Sequence, residues 1–262
     1  YELKYAKGIV KKTFIRSWYS FLKMQSKVAP KMHNIISPSK SSKNDIQKYF
    51  HIDVSKIHVI PNGIDTEIFK PNPVISKKPF KLITTASADV PLKGLDFTLR
   101  AIAVAKDKYP LINLVVIGKP RSGGHTERLI SKLGIDEFVS FKTNLTNQEV
   151  SDEYASSQIA IVSSLYEGFG FPVGEAMACA VPLIATDVAS IPEITGPYAE
   201  MIAPESHEDI FNSLDNIFQN YDLYMKKANL GRDHILQNFS WSVIANSYID
   251  HISSTLTSHA DI

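Results

Sequence analysis

Two carboxylates, Glu167 and Glu175, bracket the stretch Glu167-Gly168-Phe169-Gly170-Phe171-Pro172-Val173-Gly174-Glu175. Gly168 and Gly170 lack Cβ, so the turn between the acids can take unusual backbone angles and let a ligand approach the main chain closely. If a helix starts after that turn, its free N–H groups and the positive end of its dipole suit an anion such as a phosphate. A second cation source is Lys93, in the loop Ala88-Asp89-Val90-Pro91-Leu92-Lys93-Gly94. Together these residue types describe a cleft bordered by both glutamates that would suit an anion such as a phosphate. The plainer alternative is turn chemistry alone, with a glutamate that only complements a dipole and a lysine that is only solvated. The glycine spacing is G-x-G-x-x-x-G and does not open the first strand of a βαβ unit, so it is not the dinucleotide fingerprint.

These residues need a scaffold, and the flanking sequence supplies one. Ile159-Ala160-Ile161-Val162 reads as a buried strand, Pro172 suits a first helical position, and Glu175 to Ala180 are good helix formers. The unit is strand, glycine turn, helix, with Glu167 before the helix and Glu175 in its first turn. From Phe80 onward the pattern repeats. Strands are predicted at 80–86, 111–117, 138–142, 159–164, 182–186 and 200–202, and helices at 94–108, 126–133, 147–156, 173–180 and 206–218. Closing helices follow at 221–238 and 241–257. Such alternation implies an α/β fold, a Rossmann-like parallel sheet with helices on both faces, whose ligands bind beyond the carboxyl ends of the strands. The Glu167 turn, Ser87 to Gly94 and Gly118-Lys119 all lie at such ends. Ahead of this region come short strands at Ile35-Ile36 and 57–60, a helix capped by Ser41 or Ser42 and running to Phe50, and a proline-rich linker at 72–79.

The wording of these motifs resembles the retaining GT-B glycosyltransferases of the glycogen synthase and sucrose synthase type, with their E-x7-E signature. It rests on Ser164 to Gly170, Glu175 to Ala178, Val181 to Asp187, Ile191-Pro192-Glu193-Ile194, and the hinge-like Asn62-Gly63-Ile64-Asp65. The resemblance implies that Lys93 holds the donor's diphosphate, Glu175 accepts both ribose hydroxyls, and Glu167 lies near the donor sugar. It also implies that Gly168, Phe169 and Gly170 present N–H groups, that Asn144 and Leu145 border the base, and that Gly118 and Lys119 face the same cleft. Glu167 and Lys93 are then the catalytic pair. The family's Gly-Arg at the end of the first strand is replaced by Thr85-Ala86-Ser87, and Ser87 offers one neutral hydrogen bond in place of a charged fork. Transfer would proceed from a UDP-, GDP- or ADP-sugar with retention and without metal or other cofactor. A glycosidase fits poorly, since one carboxylate is committed to ribose.

By the same resemblance, residues 1–64 are the end of an acceptor-side domain, 65–240 the nucleotide-sugar domain and 241–262 a crossing helix. None of the eight histidines matches the family's catalytic one. A non-catalytic binding module, or a partner subunit completed by a separate chain that supplies the acceptor domain, is the alternative. The acceptor itself could be a polysaccharide, a lipid or a small molecule.

Composition narrows the rest. At 262 residues, 44% apolar and 21% charged, the chain has the make-up of an ordinary globular protein. A net charge of +1 gives no sign of nucleic acid. One cysteine, Cys179, allows no intrachain disulfide, and no apolar run reaches the length of a membrane span. These point to a cytoplasmic protein. The segment 4–31 is basic, with Phe14, Trp18, Phe21, Leu22, Val28 and Met32 at helical spacing. It reads either as an amphipathic helix packed on its own domain or as a peripheral contact with the inner membrane face.

Overall fold

The computed structural model of the chain describes residues 8–19, 22–86 and 89–260. Lys4, Lys7, Phe21 and Ser87 therefore lie outside the described residues. The basic segment forms two short helices, α1 (Ile9–Trp18) and α2 (Leu22–Val28), rather than one. Phe14, Val28 and Met32 are about half to two-thirds exposed, so these members of the stripe do not pack into a core.

Next come β1 (Ile35–Ser37), α3 (Lys40–Phe50) and β2 (Ile57–Val59), with β1 and β2 pairing in parallel. Helix α3 starts earlier than the sequence suggested. Ser39 is extended and its hydroxyl accepts from the Ser42 amide, so the cap is Ser39 and not Ser41 or Ser42.

The six remaining strands form one parallel sheet: β3 (Lys81–Thr85), β4 (Asn113–Ile117), β5 (Val139–Lys142), β6 (Ile159–Val162), β7 (Leu183–Thr186) and β8 (Glu200–Ile202). Their order is β5-β4-β3-β6-β7-β8, so the chain steps outward in one direction and then, between β3 and β6, in the other. The connecting helices are α4 (Leu95–Lys108), α5 (His125–Leu133), α6 (Asn147–Ala155), α7 (Phe171–Ala178), α8 (Ile191–Thr195) and α9 (His207–Gln219). Helices α10 (Tyr221–Asn238) and α11 (Trp241–Ala260) close the chain. Successive strand residues face opposite layers. Leu82 joins the cluster under α4, α5 and α9, whereas its neighbour Ile83 joins the one under α6, α7 and α10; both are fully buried.

Two connections run side by side between the small and large sheets. Ile64 N–H donates to the Phe239 carbonyl at 2.7 Å, and Trp241 N–H donates to the Ile64 carbonyl at 3.3 Å. Gly63 is obligatory there, since a Cβ would lie 2.4 Å from the Trp241 ring. Helix α11 then reaches the β1–β2 unit, where Asn34 bonds His251 at 2.8 Å and Thr255 at 3.2 Å.

One turn fixes the sheet's centre. After a single tight turn at Pro91–Lys93, Gly94 sits at φ 64° with its Cα against the end of β6. A Cβ there would lie 1.8 Å from the Ser163 carbonyl oxygen. Ser163 Oγ donates to the Gly94 carbonyl at 3.0 Å, and Leu165 N–H donates to the Leu92 carbonyl at 2.8 Å. Gly94→Ala therefore combines left-handed strain with a clash against fixed backbone. It is expected to cost roughly 2–3 kcal/mol or more, read as a lowered denaturation midpoint in urea. An unchanged midpoint would show that this approach does not constrain the fold.

Candidate functional site

Lys93, carried over from β3 by that turn, meets the loop that leaves β6. Its Nζ donates to Glu167 Oε1 at 2.8 Å, and Ser164 Oγ donates to the same oxygen at 2.7 Å. The Glu167 side chain is largely buried, while that of Lys93 keeps about a third of its surface (30%) in solvent. The ion pair thus closes across the boundary where the strand order reverses, the usual crevice for ligands in open parallel sheets.

The glycine turn follows. Gly170, at φ 103°, precedes α7, which starts at Phe171 with Pro172 in its first turn and no side-chain cap. The first intrahelical bonds come from Val173 and Gly174 N–H to the Gly170 carbonyl. Among the described residues, the amides of Gly168, Phe169, Gly170 and Phe171 have no protein acceptor. Four donors at the positive end of a helix dipole form a cradle for an anion.

The turn is also held from behind. Ser190, fully buried, donates its hydroxyl to the Glu167 carbonyl at 2.8 Å and the Phe169 carbonyl at 2.7 Å. The Gly168 carbonyl accepts from Ser39 Oγ at 2.8 Å and Ser42 Oγ at 3.0 Å. Of these hydroxyls only that of Ser42 was singled out in the sequence, and there as a helix cap. Only the Ser-Ser pair at 163–164, directly before the turn, carried a local signal.

Glu175 lies in the second turn of α7, not the first, because the helix starts at Phe171. Its carboxylate is partly buried and makes no hydrogen bond or ion pair within the described residues. Burial alone pushes its pKa up to about 7. Tyr154, fully buried beside it, is raised well above the usual phenol value, first by burial and then by the Glu175 charge. The Tyr154 hydroxyl lies 3.3 Å from Thr85 Oγ1 and 3.4 Å from the Pro172 carbonyl, tying the end of β3 to the start of α7.

The remaining expected positions line the same sheet end on neighbouring strands. Gly118 and Lys119 follow β4; Gly118 N–H donates to the Lys142 carbonyl at 2.9 Å, and Lys119 is exposed. Asn144, exposed at φ 57°, and Leu145 follow β5, just before the capping box of Thr146 and Glu149 that starts α6. Among the described residues, no hydrogen bond or ion pair joins these four to the Lys93–Glu167 pair. Asp89, one residue beyond the undescribed Ser87 and Ala88, braces this rim. Its carboxylate accepts from the Arg121 and Thr126 amides at 2.9 Å each. Although burial opposes ionisation, those bonds hold its pKa below the usual value. No group of three or more His, Cys, Asp or Glu suited to a metal occurs among the described residues.

The sequence matches two families. Residues 65–234 match the family described as Glycosyl transferases group 1, and residues 5–68 match Glycosyltransferase Family 4. The MMP alpha-(1->4)-mannosyltransferase of Mycolicibacterium hassiacum is 33% identical over 238 residues, covering 90% of this chain and 57% of that protein. The gpi3 subunit of the Schizosaccharomyces pombe phosphatidylinositol N-acetylglucosaminyltransferase is 24% identical, covering 74% and 42%. The chain spans about half the length of the curated relatives it matches. Among solved structures, the sucrose-phosphate synthase of Thermosynechococcus elongatus superposes with a TM-score of 0.78 at 20% identity, over 90% of this chain and 62% of that one. Anabaena Alr3699/HepE, solved in complex with UDP and glucose, gives 0.79 at 18% identity, over 89% and 66%.

The Glu175 environment yields a pH test. Its folded-state pKa of about 7 exceeds the ordinary 4.5, so the folded chain binds more protons between those values. Its contribution to stability is full below pH 4.5 and is lost as pH rises through 7. Glu175→Gln removes that loss. The variant is expected to gain on the order of 2 kcal/mol over the native chain at pH 8 and little at pH 4.5, read from urea midpoints at both pH values. An equal difference at both pH values would mean that Glu175 is not desolvated.

Proposed function

The chain belongs to the glycosyl transferases group 1, and from that premise we propose that it binds a nucleotide-diphosphate sugar in the cleft around Lys93, Glu167 and Glu175 and transfers the sugar to an acceptor hydroxyl. The observation that carries this reading is the convergence, where the strand order reverses, of a lysine, four unbonded amides at a helix start and a carboxylate without a protein partner. Each group matches one part of such a donor. The diphosphate suits Lys93 and the amides of Gly168 to Phe171, and the ribose hydroxyls suit Glu175, which lacks only donors.

In this reading the arriving phosphate draws Lys93 away from Glu167. Ser164 keeps its hold on Glu167 Oε1, so the carboxylate stays oriented toward the donor sugar's hydroxyls. As the bond from the anomeric carbon to the diphosphate oxygen breaks, Lys93 and the helix dipole stabilise the charge gathering on the leaving group. The acceptor oxygen takes the vacated position on carbon and passes its proton to the departing diphosphate oxygen. Retention of configuration and independence from metal are part of the proposal, the cationic role falling to Lys93. So are the base-side positions of Gly118, Lys119, Asn144 and Leu145, and a division into an acceptor-side part to residue 64, a donor part from 65 to 240 and the returning α11. The paired connections at Ile64 and Phe239–Trp241 support that division.

Calorimetric titration with UDP, GDP and ADP tests the donor site. One nucleotide is expected to bind with micromolar affinity, and Lys93→Ala and Glu175→Ala are each expected to weaken it by tenfold or more. A charge-assisted hydrogen bond contributes about 1.5–3 kcal/mol, which sets that scale. A well-folded chain that binds none of the three, or variants that bind like the native chain, would overturn the reading.

A further inference from the structure

Glu193 lies one turn beyond Ser190 and reaches the helix that contacts the glycine turn. Its two carboxylate oxygens accept the Lys40 and Ser41 amides at 2.8 Å each, so it occupies the open N-terminus of α3. Both the charge and the geometry favour this contact, since these are the first two helical amides. The Ser39 and Ser42 hydroxyls at the same helix end donate to the Gly168 carbonyl. Tyr166, two residues ahead of Gly168, adds a third link through its hydroxyl to Asp45 Oδ2 at 2.7 Å. Ser190 meanwhile fixes the carbonyls on either side of Gly168. The peptide groups of the turn are therefore clamped from two directions by side chains that belong to different halves of the chain.

We propose that Glu193, Ser39 and Ser42 form a latch that holds the Gly168 side of the glycine turn only while α3 is docked, with Ser190 bracing the other side, which makes them positioning residues for the donor. The cradle amides of Gly168, Phe169 and Gly170 belong to the same peptide units as the clamped carbonyls of Glu167, Gly168 and Phe169. Orienting those carbonyls toward Ser190, Ser39 and Ser42 fixes the opposite faces of the units, which carry the N–H groups. Release of α3 frees the Gly168 carbonyl and leaves only the Ser190 side of the clamp. Movement of the β1–α3–β2 unit relative to the large sheet is thereby coupled to donor affinity without any contact between α3 and the donor. The consequence for the donor rests on the nucleotide-sugar reading above; the mechanical coupling does not.

Amide hydrogen exchange on the native chain, Glu193→Ala and Ser42→Ala tests the coupling without any ligand. Glu193→Ala is expected to lower protection at least tenfold both at 40–43 and at the amides bonded to the turn's own carbonyls, Val173, Gly174 and Ser190, with β6 and β7 unchanged. Ser42→Ala leaves the Ser39 cap in place and removes one donor to Gly168, so a smaller loss confined to Val173, Gly174 and Ser190 is expected. Glu193→Gln, which keeps an amide oxygen as acceptor, should recover part of the protection. Loss at 40–43 with Val173, Gly174 and Ser190 unchanged in Glu193→Ala would overturn the latch, and so would those three amides being indifferent to Ser42→Ala. A parallel titration with UDP, GDP and ADP separates the two ideas. Where a nucleotide binds, Glu193→Ala should weaken it at least fivefold. Exchange coupling with no nucleotide bound by the native chain would uphold the latch and defeat the donor reading.

Discussion

The close approach of the Gly94 turn to the end of β6 is the constraint on which the site depends. Strands β3 and β6 are neighbours in the sheet but far apart in sequence, so the loops that follow them diverge unless something holds them together. Here the backbone does so. Gly94 rests against the Ser163 carbonyl with no room for a side chain, and the Leu92 carbonyl takes the Leu165 amide. Lys93, between these two contacts, is delivered to Glu167 with little freedom to go elsewhere. The ion pair is a consequence of that docking more than its cause, since a partly exposed pair contributes modestly by itself.

Electrostatically the site is assembled from opposites kept apart. The cationic side consists of Lys93 and the amides before α7. The anionic side consists of Glu167, neutralised by Lys93 and Ser164, and Glu175, which nothing neutralises. A buried carboxylate without donors is costly to keep ionised, and the raised pKa of Glu175 records that cost. By contrast, Lys81 at the opposite end of β3 is buried but satisfied, bonded to Glu153 at 2.8 Å and to Ser156. One end of the sheet is electrostatically closed, and the other holds groups that still want partners.

Much of this was legible in the residues. The strand runs were short, β-branched and separated by helical segments, and the strands and longer helices of the large sheet formed within a few residues of the predicted ranges. The strand, turn and helix read around Glu167 to Glu175 formed there, because glycine and proline at fixed spacing leave few local conformations. Three things were not legible. The start of α7 at Phe171 moved Glu175 out of the first turn, because helix ends are set by hydrogen bonds and not by the proline alone. The short helix α8 lacks the length for a periodic signal, yet it carries Ser190 and Glu193. The hydroxyls of Ser39, Ser42 and Ser190 act across more than a hundred or some twenty residues of sequence, and a serine has no local pattern that announces such a bond.

Crystals of the chain soaked in turn with UDP, GDP and ADP would test the central claim most directly. The account predicts one nucleotide with its diphosphate between Lys93 Nζ and the Gly168 to Phe171 amides, and its ribose hydroxyls on Glu175. A nucleotide bound at the other end of the sheet, near Lys78 and Lys81, or a diphosphate remote from Lys93, would contradict it.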